Sequence, residues 1–212
     1  MPTVLSIRKQ RGAVRVELED EPALRIPAPL FRERPLRAGD SLDVGQHLEW
    51  MRARAYGFAL DAAVTYLAAR PRTAREVTAR LEQAGYDEET CDRVAARLAS
   101  EGYLNDAEFA DHWVLARSGR ALGARRLEQE LRKKGVDRDT IASALSQVDG
   151  EEQLHAATLH AQKLLARGRG KDERDAVRKA QAALARRGYD WDTVRAAVER
   201  AGGGALDEDA AF

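Results

Sequence analysis

Histidine and cysteine, the side chains that most often carry chemistry, are few and scattered in this sequence of 212 residues. The closest of its four histidines, His155 and His160, are five residues apart, so they do not share one helix face as an i, i+4 pair would. We therefore expect no metal site and no cofactor. Cys91, the one cysteine, lies on an apolar stripe, which favours a core residue over a nucleophile.

Sequence motifs for phosphate binding and acid–base catalysis are also missing. Neither a GxxxxGK[ST] loop nor a GxGxxG turn after a strand occurs. No pair of carboxylates stands out from the many solvated Asp and Glu residues. The sequence therefore predicts a protein that is not an enzyme.

Basic residues are the remaining candidates, although 35 Lys and Arg balance 35 Asp and Glu. Residues 117–134 hold seven basic and two acidic residues, and residues 163–187 hold nine basic and three acidic ones. A shift of 53 residues superimposes several of these positions, which predicts a basic face for phosphates or for an acidic protein surface. The candidates are Arg117, Arg125, Arg126, Arg132, Lys133, Lys134, Arg178, Lys179, Arg186 and Arg187.

A plainer interpretation of these residues stays open. Cations in the last turn of a helix, such as Lys133 and Arg186, complement the helix dipole and need no ligand. Arg125 and Arg178 fall near predicted helix starts, where the dipole disfavours them, so they argue better for binding. No aromatic side chains interleave with these residues in the sequence, which predicts against a platform for base stacking.

A repeated string predicts the elements that position the basic residues. The pattern L-x-x-x-G-[YV]-D-x-[DE]-T occurs at 81–90, 131–140 and 184–193, and such self-similarity is typical of repeat architectures. Each glycine suits a left-handed helix end, with the Leu and the residue after the Gly as its apolar pair, and each Asp suits the N-cap of the next helix. These structural corners comprise Leu81, Gly85, Asp87, Leu131, Gly135, Asp137, Leu184, Gly188 and Asp190.

Apolar periodicity places two helices around each corner and a third before them, at 61–70, 106–117 and 154–167. Thr73 and Glu76 form a predicted capping box, and a lead-in helix starts near Gln46 with Gly57 as a candidate break. The predicted organisation is a β-rich module over 1–45, a lead-in helix and repeat 1 over 46–104, repeat 2 over 105–150, repeat 3 over 151–201, and a flexible acidic tail over 202–212.

The start of the chain alternates apolar and polar residues, which predicts strands at 4–7, 14–18 and 24–26, the last ended by Pro27 and Pro29. No apolar run reaches membrane-spanning length and no signal segment is recognisable, so we expect a cytoplasmic protein.

The residues around the second corner carry a resemblance. The run Glu101–Asp106, with Phe109, Val114 and Arg117, and the run Gly123–Val136 resemble the RecX family of bacterial regulators of the recombinase RecA. Residues 66–73 are similar to the same family. Asn105 stands where the family usually has aspartate, and the acidic tail is not part of its pattern.

The resemblance implies three tandem three-helix repeats in an elongated, curved array and a protein that is not an enzyme, and we expect the protein to be monomeric. It also implies binding to the RecA–single-stranded DNA filament, with inhibition of ATP hydrolysis, strand exchange and coprotease activity, and hence regulation of DNA repair and the SOS response. Two alternatives stay open: a helix-turn-helix-like protein that binds duplex DNA directly, and a helical scaffold for an unrelated protein partner.

Overall fold

The computed structural model describes residues 1–118, 122–168 and 172–202, and the predicted tail beyond Gly202 lies outside them. The chain divides into two compact units, Met1–Asn105 and Asp106–Phe212. The prediction of a mainly helical fold, with three three-helix repeats after a small β-rich module, is confirmed. No helix within the described ranges is long and apolar enough to cross a membrane.

The first unit begins with a three-stranded antiparallel sheet in the order β1-β2-β3. From Val14 to Leu18 the residues of β2 alternate between the core and solvent, and Val16 pairs with both Ile7 and Leu24. Gly12, at φ 81°, closes the first hairpin in a conformation that suits glycine. The strands are β1 (Val4–Gln10), β2 (Ala13–Leu18) and β3 (Leu24–Pro27).

A short helix, α1 (Ala28–Glu33), follows the sheet and was not predicted from the sequence. Pro27 and Pro29 end the strand as expected, but Pro27 is also the N-cap of α1 and Pro29 lies in its first turn. Proline is tolerated there because the first amides of a helix have no partner within the helix.

Helix α2 (Val44–Ala68) is continuous for 25 residues, so the predicted break at Gly57 is wrong. The lead-in helix and the separately predicted helix 61–70 are one element. A glycine inside a helix costs about 1 kcal/mol, and the burial of Ala55, Ala59 and Ala63 along one face of α2 offsets that cost.

Repeat 1 consists of the second half of α2 with α3 (Ala74–Gln83) and α4 (Glu88–Ser100). The predicted capping box is confirmed, because the Thr73 side chain accepts from the Glu76 amide and the Glu76 side chain accepts from the Thr73 amide. The core of this unit joins the sheet to the helices and includes Val16, Ile26, Leu30, Val77, Leu81, Val94 and Leu98.

The second unit holds repeats 2 and 3, each with its own apolar core. Leu127 and Leu131 are fully buried in the first core, and Val177 and Leu184 in the second. Repeat 2 comprises α5 (Asp106–Ser118), α6 (Ala124–Lys134) and α7 (Arg138–Ser146), and repeat 3 comprises α8 (Gly150–Gly168), α9 (Glu173–Arg186) and α10 (Trp191–Arg200).

All three corners share one geometry. Gly85, Gly135 and Gly188 have φ between 85° and 93°, a left-handed conformation that costs a glycine little. The amide after each glycine donates to the carbonyl of the leucine five residues earlier, at 3.2, 3.2 and 3.4 Å. Asp87, Asp137 and Asp190 then cap α4, α7 and α10 by accepting the amide three residues on, at 2.8, 2.9 and 2.9 Å.

Candidate functional site

Two basic side chains of α6 are exposed and make no ion pair within the described part of the chain. Arg125 lies in the first turn of this helix and Lys133 in its last turn, both facing solvent. Their neighbour Arg132 pairs with Glu128 at 2.7 Å across one helical turn. Arg125 and Lys133 therefore present exposed positive charge, and Arg125 also interacts electrostatically with the Asp190 carboxylate of the third corner.

The equivalent residues of α9 are placed differently from the sequence prediction. Arg178 and Lys179 lie in the second turn, because Asp172 caps this helix and it begins at Glu173. Both pair with Asp175, at 2.8 and 2.6 Å, and these exposed contacts hold the pKa of that carboxyl below its usual range. The expectation that the helix dipole disfavours Arg178 is thus wrong, and Asp175 partly neutralises the charges of Arg178 and Lys179.

The end of α9 and the second half of α8 bring further basic residues together. Burial lowers the pKa of His160, and the positive charges of Arg187, Lys163 and Arg167 lower it further. Arg186, in the last turn of α9, is exposed and has no ion-pair partner among the described residues. The sequence analysis did not single out Lys163 or Arg167, although both lie in the basic segment 163–187.

The N-terminus of α6 is already occupied by backbone oxygens. Gly123, its N-cap, has no side chain to cap the helix. Instead the Gly123 amide donates to the Arg187 carbonyl at 3.0 Å, and the Arg125 amide donates to the Gly188 carbonyl at 3.1 Å. The corner of repeat 3 thus caps a helix of repeat 2, so these amides are unavailable to an anion.

An aromatic side chain lies among the basic residues of repeat 2, which the sequence analysis did not expect. The guanidinium carbon of Arg117 is 3.3 Å from the centre of the Trp113 indole ring. The Lys134 ammonium lies 4.4 Å from the same centre. Trp113 stacks in turn with Phe109, with ring centres 5.5 Å apart.

Glu130 joins this group of side chains. Its carboxylate accepts the indole N–H of Trp113 at 3.2 Å and pairs with Arg117 at 3.1 Å and Arg126 at 3.3 Å. We call Trp113, Arg117, Arg126, Glu130 and Lys134 the Trp113 cluster. Its signal in the sequence is the i, i+4 spacing of Trp113 with Arg117 and of Arg126 with Glu130, which places each pair on one helix face.

Cys91 and His47, two side chains that could carry covalent chemistry, are buried. Burial raises the pKa of the Cys91 thiol to about 12, so the thiolate that a nucleophile needs is suppressed. His47 is fully buried, and both of its ring nitrogens lack a hydrogen-bond partner among the described residues. No group of three or more potential metal ligands occurs in the described ranges. The site is thus a surface of cations and one indole ring.

Comparison with known proteins gives a consistent result for all three repeats. Residues 59–98, 105–145 and 151–198 match the family models described as the first, second and third three-helix domains of RecX. "Regulatory protein RecX" of Mycobacterium ulcerans (strain Agy99) is 42% identical over 125 residues, which cover 58% of this chain and 72% of that protein.

Two further comparisons cover more of the chain. "Regulatory protein RecX" of Bacillus subtilis (strain 168) is 29% identical over 204 residues, 94% of this chain and 77% of that protein. The crystal structure of RecX from Lactobacillus salivarius superimposes with a TM-score of 0.67 at 22% identity, covering 71% of this chain and 98% of that one. The structural likeness supports the fold alone.

Proposed function

Because this chain belongs to the RecX family of regulatory proteins, we propose that it binds the RecA–single-stranded DNA filament and inhibits it. In this proposal the protein is a non-enzymatic regulator. It lowers the recombinase, ATPase and coprotease activities of the filament, and so modulates recombination, repair and the SOS response.

The observation that carries the proposal is the exposed positive charge of the second unit. Arg125, Lys133 and Arg186 are exposed without ion-pair partners among the described residues. Arg187, Lys163 and Arg167 add positive charge near His160, whose pKa is lowered first by burial and further by these three charges. Such a surface attracts a partner rich in phosphate or carboxylate groups, and a nucleoprotein filament offers both.

The repeats supply area rather than a pocket. Helical repeats offer their exposed helix faces for contact with a partner, which suits a filament made of repeating subunits. We propose that this surface contacts both the recombinase and the DNA of the filament, and that binding needs no cofactor.

The test is DNA-dependent ATP hydrolysis by the cognate recombinase, assembled on single-stranded DNA and titrated with the protein. Inhibition at or below one protein per recombinase subunit supports the proposal. Unchanged hydrolysis by folded protein that also fails to co-sediment with the filament would contradict it. Tight, sequence-dependent binding to duplex DNA in that case would favour direct DNA binding instead.

A further inference from the structure

We propose that the Trp113 cluster is a stacking site for an unpaired nucleobase, through which the protein prefers single-stranded to duplex nucleic acid. This inference rests on the proposed function and deepens it, since it names the chemistry by which one surface patch contacts DNA.

Two contacts fix the orientation of the Arg117 guanidinium group. The indole of Trp113 covers one face at 3.3 Å, and the carboxylate of Glu130 holds Nε at 3.1 Å. The Arg117 side chain keeps 26% of its surface exposed, and this exposed part is where a base would have to stack. These two contacts hold the plane of the Arg117 guanidinium group in one orientation.

An oriented guanidinium plane on an aromatic ring is a surface on which a base can stack. Bases stack on aromatic side chains and on guanidinium planes because their flat faces match, and this contact tolerates any sequence. A base inside a duplex has both faces covered by its neighbours. The cluster can therefore receive an unpaired base and not a paired one.

The charges around the plane favour a nucleotide over an acidic peptide. Arg117 and Arg126 both pair with the single carboxylate of Glu130, which leaves a surplus of one positive charge among these three side chains. The Arg126 side chain is 45% exposed and thus provides charge for the phosphates that flank a stacked base. A carboxylate side chain of an acidic peptide has no flat ring to stack on the guanidinium plane. The Nε edge of Arg117 is already paired with Glu130.

The position of the cluster fits this role. Trp113 and Arg117 lie one turn apart on α5, whereas Arg126, Glu130 and Lys134 follow one another at four-residue intervals on α6. Phosphates on the exposed face of α6 would then find Arg125 and Lys133 on the same helix. Base stacking and backbone contact would thus both come from α5 and α6.

The experiment uses Trp113 as its own reporter. In the full-length W50F/W191F protein, Trp113 is the remaining tryptophan, and its fluorescence is followed during titration with a thymidine oligonucleotide and with a duplex of equal length. We expect quenching by the single strand and none by the duplex at equal saturation. Saturable single-strand binding, measured by anisotropy, that leaves the fluorescence unchanged would overturn the inference.

Two substitutions at Trp113 give a second readout. W113F keeps an aromatic face and should retain single-strand affinity within about threefold, whereas W113L should lose roughly tenfold. Duplex affinity should change less than about twofold in both variants. Equal losses for single strand and duplex in W113L, with unchanged melting temperature, would refute a stacking role. W191F, at an exposed tryptophan outside the cluster, is the matched control.

The outcomes separate this inference from the proposed function. If the protein inhibits the recombinase ATPase while Trp113 neither reports nor influences oligonucleotide binding, the inference fails and the proposed function stands. If the protein neither inhibits the ATPase nor binds the filament, yet Trp113 is quenched by the single strand, the proposed function fails and the stacking site stands. If W113L melts too low for binding measurements, the quenching experiment on the native tryptophan decides.

Discussion

Gly123 and Gly188 meet backbone to backbone. A Cβ atom built on Gly123 would lie 2.3 Å from the carbonyl carbon and oxygen of Gly188, and one on Gly188 would lie 2.3 Å from the amide nitrogen of Arg126. No real Cβ atom comes that close, so the backbone of Gly188 requires a glycine at position 123, and the backbone of Arg126 requires one at position 188. This close approach of the two backbones allows the carbonyl groups of Arg187 and Gly188 to cap the N-terminus of α6.

We therefore expect Gly123→Ala to destabilise the second unit by more than about 2 kcal/mol. Gly123 has φ −78°, so alanine suffers no backbone strain there and the loss comes from the collision alone. The measurement is urea unfolding followed by circular dichroism. Gly150→Ala is the matched control, because a Cβ at that helix start meets nothing within 4 Å, and equal stability of the two variants would contradict the prediction.

The tyrosine hydroxyls at two corners should be dispensable. Tyr86 and Tyr189 are buried, and neither hydroxyl has a hydrogen-bond partner among the described residues. An unpaired buried hydroxyl costs about 1–3 kcal/mol, and repeat 2 has Val136 at this position. We expect Tyr86→Phe and Tyr189→Phe to keep or raise the free energy of unfolding. Tyr103→Phe, at an exposed site, should leave the free energy of unfolding unchanged. A loss of stability above about 1 kcal/mol in either buried variant would contradict the prediction, because it would mean that the removed hydroxyl had a hydrogen-bond partner.

Cys91 should make stability fall at alkaline pH. Burial raises the pKa of the Cys91 thiol from 9.0 to about 12. The contribution of this thiol to the free energy of unfolding is therefore complete below pH 9 and is lost as the pH rises toward 12, by up to about 1.4 kcal/mol per pH unit. Cys91→Val should flatten this decline. The variant should also fold well at pH 7, because Ile141 and Val194 occupy the same position in the other repeats.

The measurement for Cys91 is the free energy of unfolding between about pH 8 and pH 10. Burial also raises the pKa of Tyr86, from 10.0 to about 12, and its effect begins only at the upper end of this range. Parallel pH profiles for the Cys91→Val variant and the original protein would show that the thiol does not titrate as expected.

Charge reversal on α6 should weaken filament binding. Arg125→Glu with Lys133→Glu removes two exposed cations, and we expect roughly tenfold weaker binding and a salt-dependence slope smaller by about two. The matched control is Arg75→Glu with Gln83→Glu, since these residues occupy the same positions relative to the first corner on α3. Equal affinity of the two double variants at physiological salt would remove α6 from the binding surface.

The three corners could be predicted from the sequence because their interactions are local. Each glycine, leucine and aspartate acts within one turn of its neighbours, so the spacing alone specifies the geometry. The continuity of α2 could not be predicted in the same way. Local propensity favours a break at Gly57, and only the packing of Ala55 and Ala59 against the rest of the unit overrides it.

The candidate surface was predictable in composition but not in arrangement. The excess of basic residues within 117–134 and within 163–187 is evident from the sequence. Which of them are neutralised depends on where each helix starts, as Asp172 and Asp175 show for α9. The stack of Arg117 on Trp113 is reinforced by Glu130 from another helix, and the contact of Gly123 with Gly188 joins two repeats, so both need the tertiary structure.

The unbroken course of α2 restricts how this sequence can change in length. One residue inserted at Gly57 would rotate everything beyond it by about 100°, so Ala59 and Ala63 would leave the face that they share with Ala55. Insertions and deletions among relatives should therefore fall outside Val44–Ala68, even though Gly57 itself is exposed and tolerant of other side chains.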